Sequence, residues 1–192
     1  MSLPLVAIVG RPNVGKSTLV NRILGRRAAI VEQRPGVTRD RKEVEGEWQG
    51  HHFRLLDTGG WILGGDELDD PVSAQSERAL AEADVVLLVL DATVGVTPDA
   101  EQVAQLLRRS AVPVLVVANK VDDASHEAVI WELLGLGRGA PSPVTALPGR
   151  GTGDLLDAVV AHRPAPGAAG PMGAAGAEIG AEGEEAAAGR QA

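Results

Sequence analysis

The sequence predicts an α/β fold in which a mostly parallel sheet of six strands carries helices on both faces. Three observations support this prediction. Apolar runs such as Val85–Leu90 are continuous rather than alternating, which is typical of strands buried on both faces. Strand-like and helix-like segments alternate along the chain, as they do in layered α/β domains. The core must be aliphatic, because the 192 residues include one Phe, three Trp and no Tyr.

The first half of the chain predicts two strands that flank a helix, followed by one more strand. Leu5–Val9 is an apolar run that ends at a glycine loop, and Ser17–Leu24 has helical periodicity that stops at Gly25. Lys42–Trp48 and His52–Asp57 are separated by a turn containing Gly50, so together they predict a hairpin.

The second half continues the alternation of helices and buried strands. In chain order we predict a helix over Val72–Ala83, a strand over Val85–Leu90, a helix over Asp99–Arg109, a strand over Val112–Ala118, a helix over Glu127–Leu134, a short strand over Val144–Ala146 and a helix over Thr152–Ala161. Ligands of such sheets bind at the carboxyl ends of the strands.

The composition changes near residue 163. Residues 1–163 predict one globular domain. Residues 164–192 are dominated by Ala, Gly, Pro and Glu, and their only large apolar side chains are Met172 and Ile179. Such a segment cannot bury enough surface to offset the entropy of ordering it. We therefore predict a disordered tail or interdomain linker there.

Charge and composition exclude several classes of function. The formal net charge of −8 is unfavourable for general DNA binding, which needs clustered Lys and Arg. No apolar run approaches the length of a membrane span, and the N-terminus lacks the basic segment of a signal peptide. The absence of cysteine fits a reducing compartment. We expect a cytoplasmic protein without a membrane partner.

A phosphate-binding loop follows the first predicted strand and precedes the first predicted helix. The segment matches G-x-x-x-x-G-K-[ST] in full and consists of Gly10, Arg11, Pro12, Asn13, Val14, Gly15, Lys16 and Ser17, with Thr18 next in the helix. The glycines let the backbone wrap a phosphate, and the helix N-terminus adds positive potential. We expect Lys16 to reach the β and γ phosphates and the Ser17 hydroxyl to bind Mg²⁺. The motif is specific for phosphate but not for a base.

Two further segments predict the rest of a magnesium and γ-phosphate site. Asp57-Thr58-Gly59-Gly60 is a D-x-x-G pattern in which Asp57 can hold Mg²⁺ through water, and the Gly60 amide can approach the γ-phosphate. Thr38 lies between the first helix and the hairpin, where a threonine can bind Mg²⁺ and sense the γ-phosphate.

Two loops predict recognition of guanine. In Asn119-Lys120-Val121-Asp122, the Asp122 carboxylate can accept hydrogen bonds from N1–H and the N2 amine, which adenine does not offer. We expect Asn119 to brace the loop and Lys120 to lay its stem over the base. Thr145-Ala146-Leu147 takes the place of an S-A-x loop, whose alanine amide would meet guanine O6.

Together these motifs resemble the first G domain of the Der (EngA) GTPases, a group of P-loop GTPases of the TrmE-Era-EngA type. The motifs are GRPNVGKST (10–18), GVTRD (36–40), DTGGW (57–61), NKVD (119–122) and GRGTGDLLD (149–157). The resemblance covers about residues 3 to 163. It implies binding of GTP and GDP with Mg²⁺, GTP hydrolysis and a role in assembling the large ribosomal subunit. Members carry two G domains and then a KH-like domain, so we expect this chain to be a truncated form whose intramolecular partners are the other domains.

The resemblance also implies a catalytic set of Lys16, Asn13, Thr38 and Gly60, with K⁺ bound beside Asn13. Trp61 stands where many G domains carry the glutamine that orients the attacking water, so we expect slow, K⁺-stimulated hydrolysis. Arg39 or Arg41 acting in cis is a competing source of charge stabilisation. A module that binds GDP or GTP without turnover, an inactive fragment, and a P-loop kinase or ATPase are the alternative interpretations.

Overall fold

The computed structural model describes residues 3–25, 42–58, 80–108, 110–121, 127–136 and 140–163. The strands are β1 (Leu5–Val9), β2 (Lys42–Trp48), β3 (His51–Asp57), β4 (Val85–Asp91), β5 (Val114–Asn119) and β6 (Ser142–Pro143). The helices are α1 (Lys16–Leu24), α2 (Pro98–Arg108), α3 (Glu127–Leu134) and α4 (Thr152–His162).

The strands form one sheet in the order β2-β3-β1-β4-β5-β6. Every neighbouring pair is parallel except β2 with β3, which form the predicted antiparallel hairpin. The mostly parallel six-stranded sheet is therefore confirmed. Because five strands run in one direction, their carboxyl ends meet at the same edge of the sheet.

The hydrophobic core has two layers, one on each face of the sheet. Val6 and Ile8 of β1 pack with residues of α1 and α4, whereas Ala7 and Val9 pack with residues of α2 and α3. Side chains alternate across a strand, so β1 can be buried throughout only if both faces are covered. This two-sided burial explains why the strands are continuous apolar runs.

The last strand does not lie where the sequence predicted it. β6 occupies Ser142–Pro143 instead of Val144–Ala146, and Ser142 pairs with Val117. Val144 still donates its N–H to the carbonyl of Ala118. The next residues are buried because their loop packs against neighbouring loops, so their burial signals loop contacts rather than a strand.

The other predicted boundaries within the described residues agree with the structure or differ from it by one or two residues. β5 begins at Val114 rather than Val112, because Pro113 has no N–H to donate to a strand ladder. Of the predicted helix Val72–Ala83, residues 80–82 are helical and Ala83 follows the helix, whereas residues 72–79 lie outside the described residues. The tail at 164–192 also lies outside them, so its disorder stays a prediction.

The turn of the hairpin contacts the last helix. The indole Nε1 of Trp48 and the amide Nε2 of Gln49 both donate to Oδ1 of Asp157, over 2.7 Å and 2.9 Å. A guanidinium nitrogen of Arg163 lies 2.7 Å from Nδ1 of His51. These contacts lie at the amino end of β3, opposite the carboxyl edge of the sheet.

The helices within the described ranges are too short or too polar to cross a lipid bilayer.

Candidate nucleotide-binding site

Four predicted segments meet at the carboxyl edge of the sheet, together with Asp91, which no motif predicted. The phosphate loop follows β1, Thr58 follows β3, Asp91 ends β4, Asn119 ends β5 and Thr145 follows β6. The chain returns to this edge after each strand because the strands are parallel, so residues more than 100 positions apart in sequence come into contact.

The phosphate loop needs glycine at two positions. Gly10 and Gly15 have φ of 151° and 96°, which lie in the left-handed region that side chains rarely adopt. A Cβ on Gly10 would overlap the carbonyl oxygen of Val89, and one on Gly15 would overlap the side-chain amide of Asn119. The backbone therefore lies close to β4 and to the base loop on two sides.

Lys16 is the first residue of α1 and is 3% exposed. Its Nζ donates to the carbonyls of Gly10 (2.8 Å) and Arg11 (2.6 Å), so the loop closes around its own ammonium group. Burial lowers the pKa of Lys16, and the nearby Asp57 carboxylate opposes this by raising it. The ammonium group thus lies at the helix N-terminus, inside the loop where phosphates are expected.

Ser17 and Asp57 form the predicted magnesium pair. The Ser17 hydroxyl donates to Oδ2 of Asp57 over 3.0 Å, and Asp57 is 7% exposed. A hydroxyl and a carboxylate are the hard oxygen ligands that Mg²⁺ takes in nucleotide sites, so the residues present fit this ion. Thr58 donates its hydroxyl to the carbonyl of Ile8 over 2.8 Å, which ties the end of β3 to β1.

Asn119 joins the phosphate loop to the last loop. Its Nδ2 donates to the carbonyl of Val14 over 2.8 Å, and its Oδ1 accepts from the amide of Ala146 over 3.2 Å. The residue is 2% exposed. The bracing role expected of Asn119 therefore has a geometric basis, and the side chain has one partner in each loop.

Lys120 lies between the phosphate loop and β4. Its backbone has φ of 65°, and its Nζ donates to the carbonyl of Asn13 over 3.1 Å and to Oδ2 of Asp91 over 2.6 Å. Asn13 is exposed, as are Arg11 and Pro12. Arg11 forms an exposed ion pair with Asp99 at the start of α2, over 3.1 Å.

The loop after β6 is held by backbone and side-chain hydrogen bonds. The Thr145 hydroxyl donates to the carbonyl of Val121 over 2.7 Å, and Nε of Arg22 donates to the carbonyl of Ala146 over 2.9 Å. Leu147 is 76% exposed. Ala146, whose amide was predicted to meet guanine O6, thus donates its N–H to Asn119 and accepts from Arg22 at its carbonyl.

Several predicted residues lie outside the described residues. They are Thr38, Gly59, Gly60, Trp61, Asp122 and both candidate arginines, Arg39 and Arg41. Their roles stay predictions. Conversely, sequence reasoning missed Arg22 and Asp91. Asp91 could have been found as a charged residue at the end of a buried strand, whereas nothing in the pattern of α1 distinguishes Arg22.

A phosphate loop, a serine–aspartate pair and the Asn119-Lys120 start of an N-K-x-D motif, at one edge of a mostly parallel sheet, define the class of P-loop GTPase domains. The sequence profile of the 50S ribosome-binding GTPase family matches residues 5–120. The chain belongs to this family, and the predicted resemblance to Der GTPases is confirmed.

The chain is similar to Der proteins of several bacteria. GTPase Der of Streptomyces coelicolor is 56% identical over 165 residues, which cover 84% of this chain and 35% of that protein. GTPase Der of Leifsonia xyli is 55% identical over 163 residues, which cover 85% of this chain and 34% of that protein. The chain spans about a third of the length of these relatives.

Solved structures support the fold. A variant of Aquifex aeolicus Era bound to GDP and aluminium fluoride has a TM-score of 0.69 at 32% identity, over 86% of this chain and 58% of that one. The G domain of the T. maritima FeoB iron transporter has a TM-score of 0.64 at 26% identity, over 83% of this chain and 98% of that one.

Proposed function

We propose that this domain binds GTP and GDP with Mg²⁺ and hydrolyses GTP to GDP and phosphate. The observation that carries the proposal is the contact network of Asn119, which holds the phosphate loop and the predicted guanine loop together at one edge of the sheet. Membership of a GTPase family and the likeness to a GDP-bound Era structure support it.

The chain's own residues divide the work. Amides of the loop from Gly10 to Gly15 and the N-terminus of α1 bind the phosphates, and Lys16 exchanges its bonds to loop carbonyls for bonds to phosphate oxygens. Ser17 and Asp57 hold Mg²⁺, which neutralises charge on the phosphates when it is bound. Asp122 selects guanine.

The finer mechanism rests on residues around the γ-phosphate. Thr38 and Gly60 contact the γ-phosphate, while water attacks its phosphorus and the bond to the bridging oxygen breaks. Hydrolysis is slow because Trp61 cannot orient water as a carboxamide does. Asn13 would hold K⁺ beside the phosphates, where the ion would supply positive charge that an arginine supplies in other GTPases.

The biological role follows from the relatives. We place the domain in the assembly of the large ribosomal subunit in the cytoplasm. The family's description and the Der relatives support this role, and the absence of cysteine fits the compartment. An Era structure contains a segment of 16S ribosomal RNA, which supports RNA-containing partners for this kind of G domain. The remaining two thirds of the relatives' length would carry a second G domain and a KH-like domain.

A binding and turnover experiment tests the proposal. Titration with fluorescent GDP should give saturable binding that unlabelled GDP reverses and ADP does not. Phosphate release from GTP should require Mg²⁺ and be faster in K⁺ than in Na⁺. Failure to bind GDP, or equal competition by ADP, would refute the nucleotide assignment, and equal rates in the two salts would refute the role of K⁺.

A serine pair provides matched variants. Ser17→Ala removes the proposed Mg²⁺ ligand and should abolish the dependence of GTP binding on Mg²⁺. Ser110→Ala removes a hydroxyl that accepts from the amide of Val112 at the amino end of β5, far from the site. This control should bind GTP with the same dependence on Mg²⁺ as the unaltered chain. If both variants lost that dependence equally, the assignment of Ser17 as a Mg²⁺ ligand would be contradicted.

Trp61 favours a second candidate function, a module that holds guanine nucleotide without turnover. Tight GDP binding with no phosphate release in K⁺ would establish this alternative and exclude the GTPase.

A further inference from the structure

Asp91 lies outside every motif that predicted the site. It is the last residue of β4 and pairs in register with Asn119 of β5. The amide of Ala92 donates to the carbonyl of Asn119 over 2.9 Å, so the two strand ends are joined. Asp91 is therefore one strand away from the predicted guanine loop and faces the same edge of the sheet.

Both carboxylate oxygens of Asp91 have partners. Oδ1 accepts from the amide (2.9 Å) and the hydroxyl (2.6 Å) of Thr93, and Oδ2 accepts from Nζ of Lys120 over 2.6 Å. The Asp91 side chain is 12% exposed. Burial raises its pKa, but the hydrogen bonds from Lys120 and Thr93 outweigh it, so the pKa lies below the usual 3.8. The group is an oriented anion at neutral pH.

Lys120 gains a fixed direction from this anion. A lysine side chain loses up to about 2 kcal/mol of rotational freedom when it is held in one geometry. The Lys120 side chain is 40% exposed, so an ion pair with a less exposed carboxylate is what keeps it in place. The same ammonium group donates to the carbonyl of Asn13, which makes Lys120 a link between β4, β5 and the phosphate loop.

We propose that Asp91 is a positioning residue for guanine-nucleotide binding, which holds Lys120 over the base position and keeps it joined to Asn13. This inference rests on the proposed function. Asp91 touches no predicted ligand atom and acts only through Lys120. It ties the base-recognising half of the site to the phosphate-binding half.

Asp91→Asn tests the proposal with almost no change in shape. The amide can still accept from Thr93 through its oxygen, but its NH₂ group would face the ammonium group of Lys120, and two donors cannot bond. The Kd for fluorescent GDP should rise about tenfold, which corresponds to about 1.4 kcal/mol. The kcat at saturating GTP should stay within about twofold, because in the proposed mechanism neither Asp91 nor Lys120 contacts the γ-phosphate.

Lys120→Met provides the decisive background. If Asp91 acts through Lys120, Asp91→Asn should change the Kd less than twofold in the Lys120→Met chain, although it changes it tenfold in the unaltered chain. If Asp91→Asn raised the Kd for GDP equally in the unaltered chain and in the Lys120→Met chain, the proposal would be overturned. Unchanged GDP binding by Asp91→Asn alone would overturn it too. Failure of the unaltered chain to bind GDP would instead refute the proposed function.

Asp157→Asn is the matched control. Asp157 also accepts two side-chain hydrogen bonds, but from Trp48 and Gln49 at the opposite end of the strands. Its Kd for GDP should equal that of the unaltered chain. Thermal unfolding checks that each variant folds. If Asp91→Asn does not fold, Thr93→Val replaces it. This variant should raise the Kd for GDP about threefold, and the rise should vanish in the Lys120→Met background. A threefold rise that persists in that background would also overturn the proposal.

Discussion

Removal of the Asn119 side chain should destabilise the domain even when no nucleotide is present. In Asn119→Ala, the carbonyl of Val14 and the amide of Ala146 both lose their bonds to this residue. Each bond contributes about 1 kcal/mol, and a buried group left without a partner costs about 1–3 kcal/mol. Because Asn119 is only 2% exposed, water does not easily supply replacement hydrogen bonds to these two groups. We expect the free energy of unfolding to fall by about 2–4 kcal/mol.

This loss is measurable by urea and thermal unfolding in the presence of a chelator and the absence of nucleotide. For a domain of this size, it corresponds to a fall of roughly 5–15 °C in the unfolding temperature. Asn21→Ala is the matched control, since Asn21 is exposed on α1. Alanine favours a helix more than asparagine does, so this control should be neutral or slightly more stable. If Asn119→Ala unfolded within about 0.5 kcal/mol of the unaltered chain, the bracing role would be wrong.

Two further predictions follow from the phosphate loop. Gly15→Ala should abolish GDP binding and lower stability as much as Asn119→Ala does, because its Cβ displaces the Asn119 amide. The control Gly50→Ala, at φ of 78° with open space around the Cβ, should lose about 1 kcal/mol of stability and bind GDP normally. Similar GDP binding by both variants would contradict the clash between a Cβ at position 15 and Asn119. Burial lowers the pKa of Lys16 below 10.5, so just below pH 10.5 the unfolded chain binds more protons than the folded chain. The stability of the unaltered chain relative to Lys16→Met should therefore rise with pH through that window. Urea midpoints of the two chains that change in parallel with pH would refute this prediction.

The misplaced last strand has a physical cause that local sequence patterns cannot reveal. β6 was predicted over Val144–Ala146 because the segment contains apolar residues, but an apolar residue signals burial and not the kind of backbone that buries it. Thr145 and Ala146 are buried by contacts with Asn119, Val121 and Arg22, which are distant in sequence. A single-sequence pattern has no access to such contacts.

The amino-acid sequence by itself determined the class of fold and the positions of the phosphate and base loops. Continuous aliphatic runs require a sheet covered on both faces, and a glycine loop between a strand and a helix can be recognised from local residues alone. Only the tertiary structure decided which side chains join those loops. Lys120 meets Asp91 and Asn13 because parallel strands bring their carboxyl ends to one edge, and Arg22 meets Ala146 because α1 packs in the same core cluster as Ala146. Hydrogen bonds between residues so far apart depend on strand order and register, which no local pattern encodes.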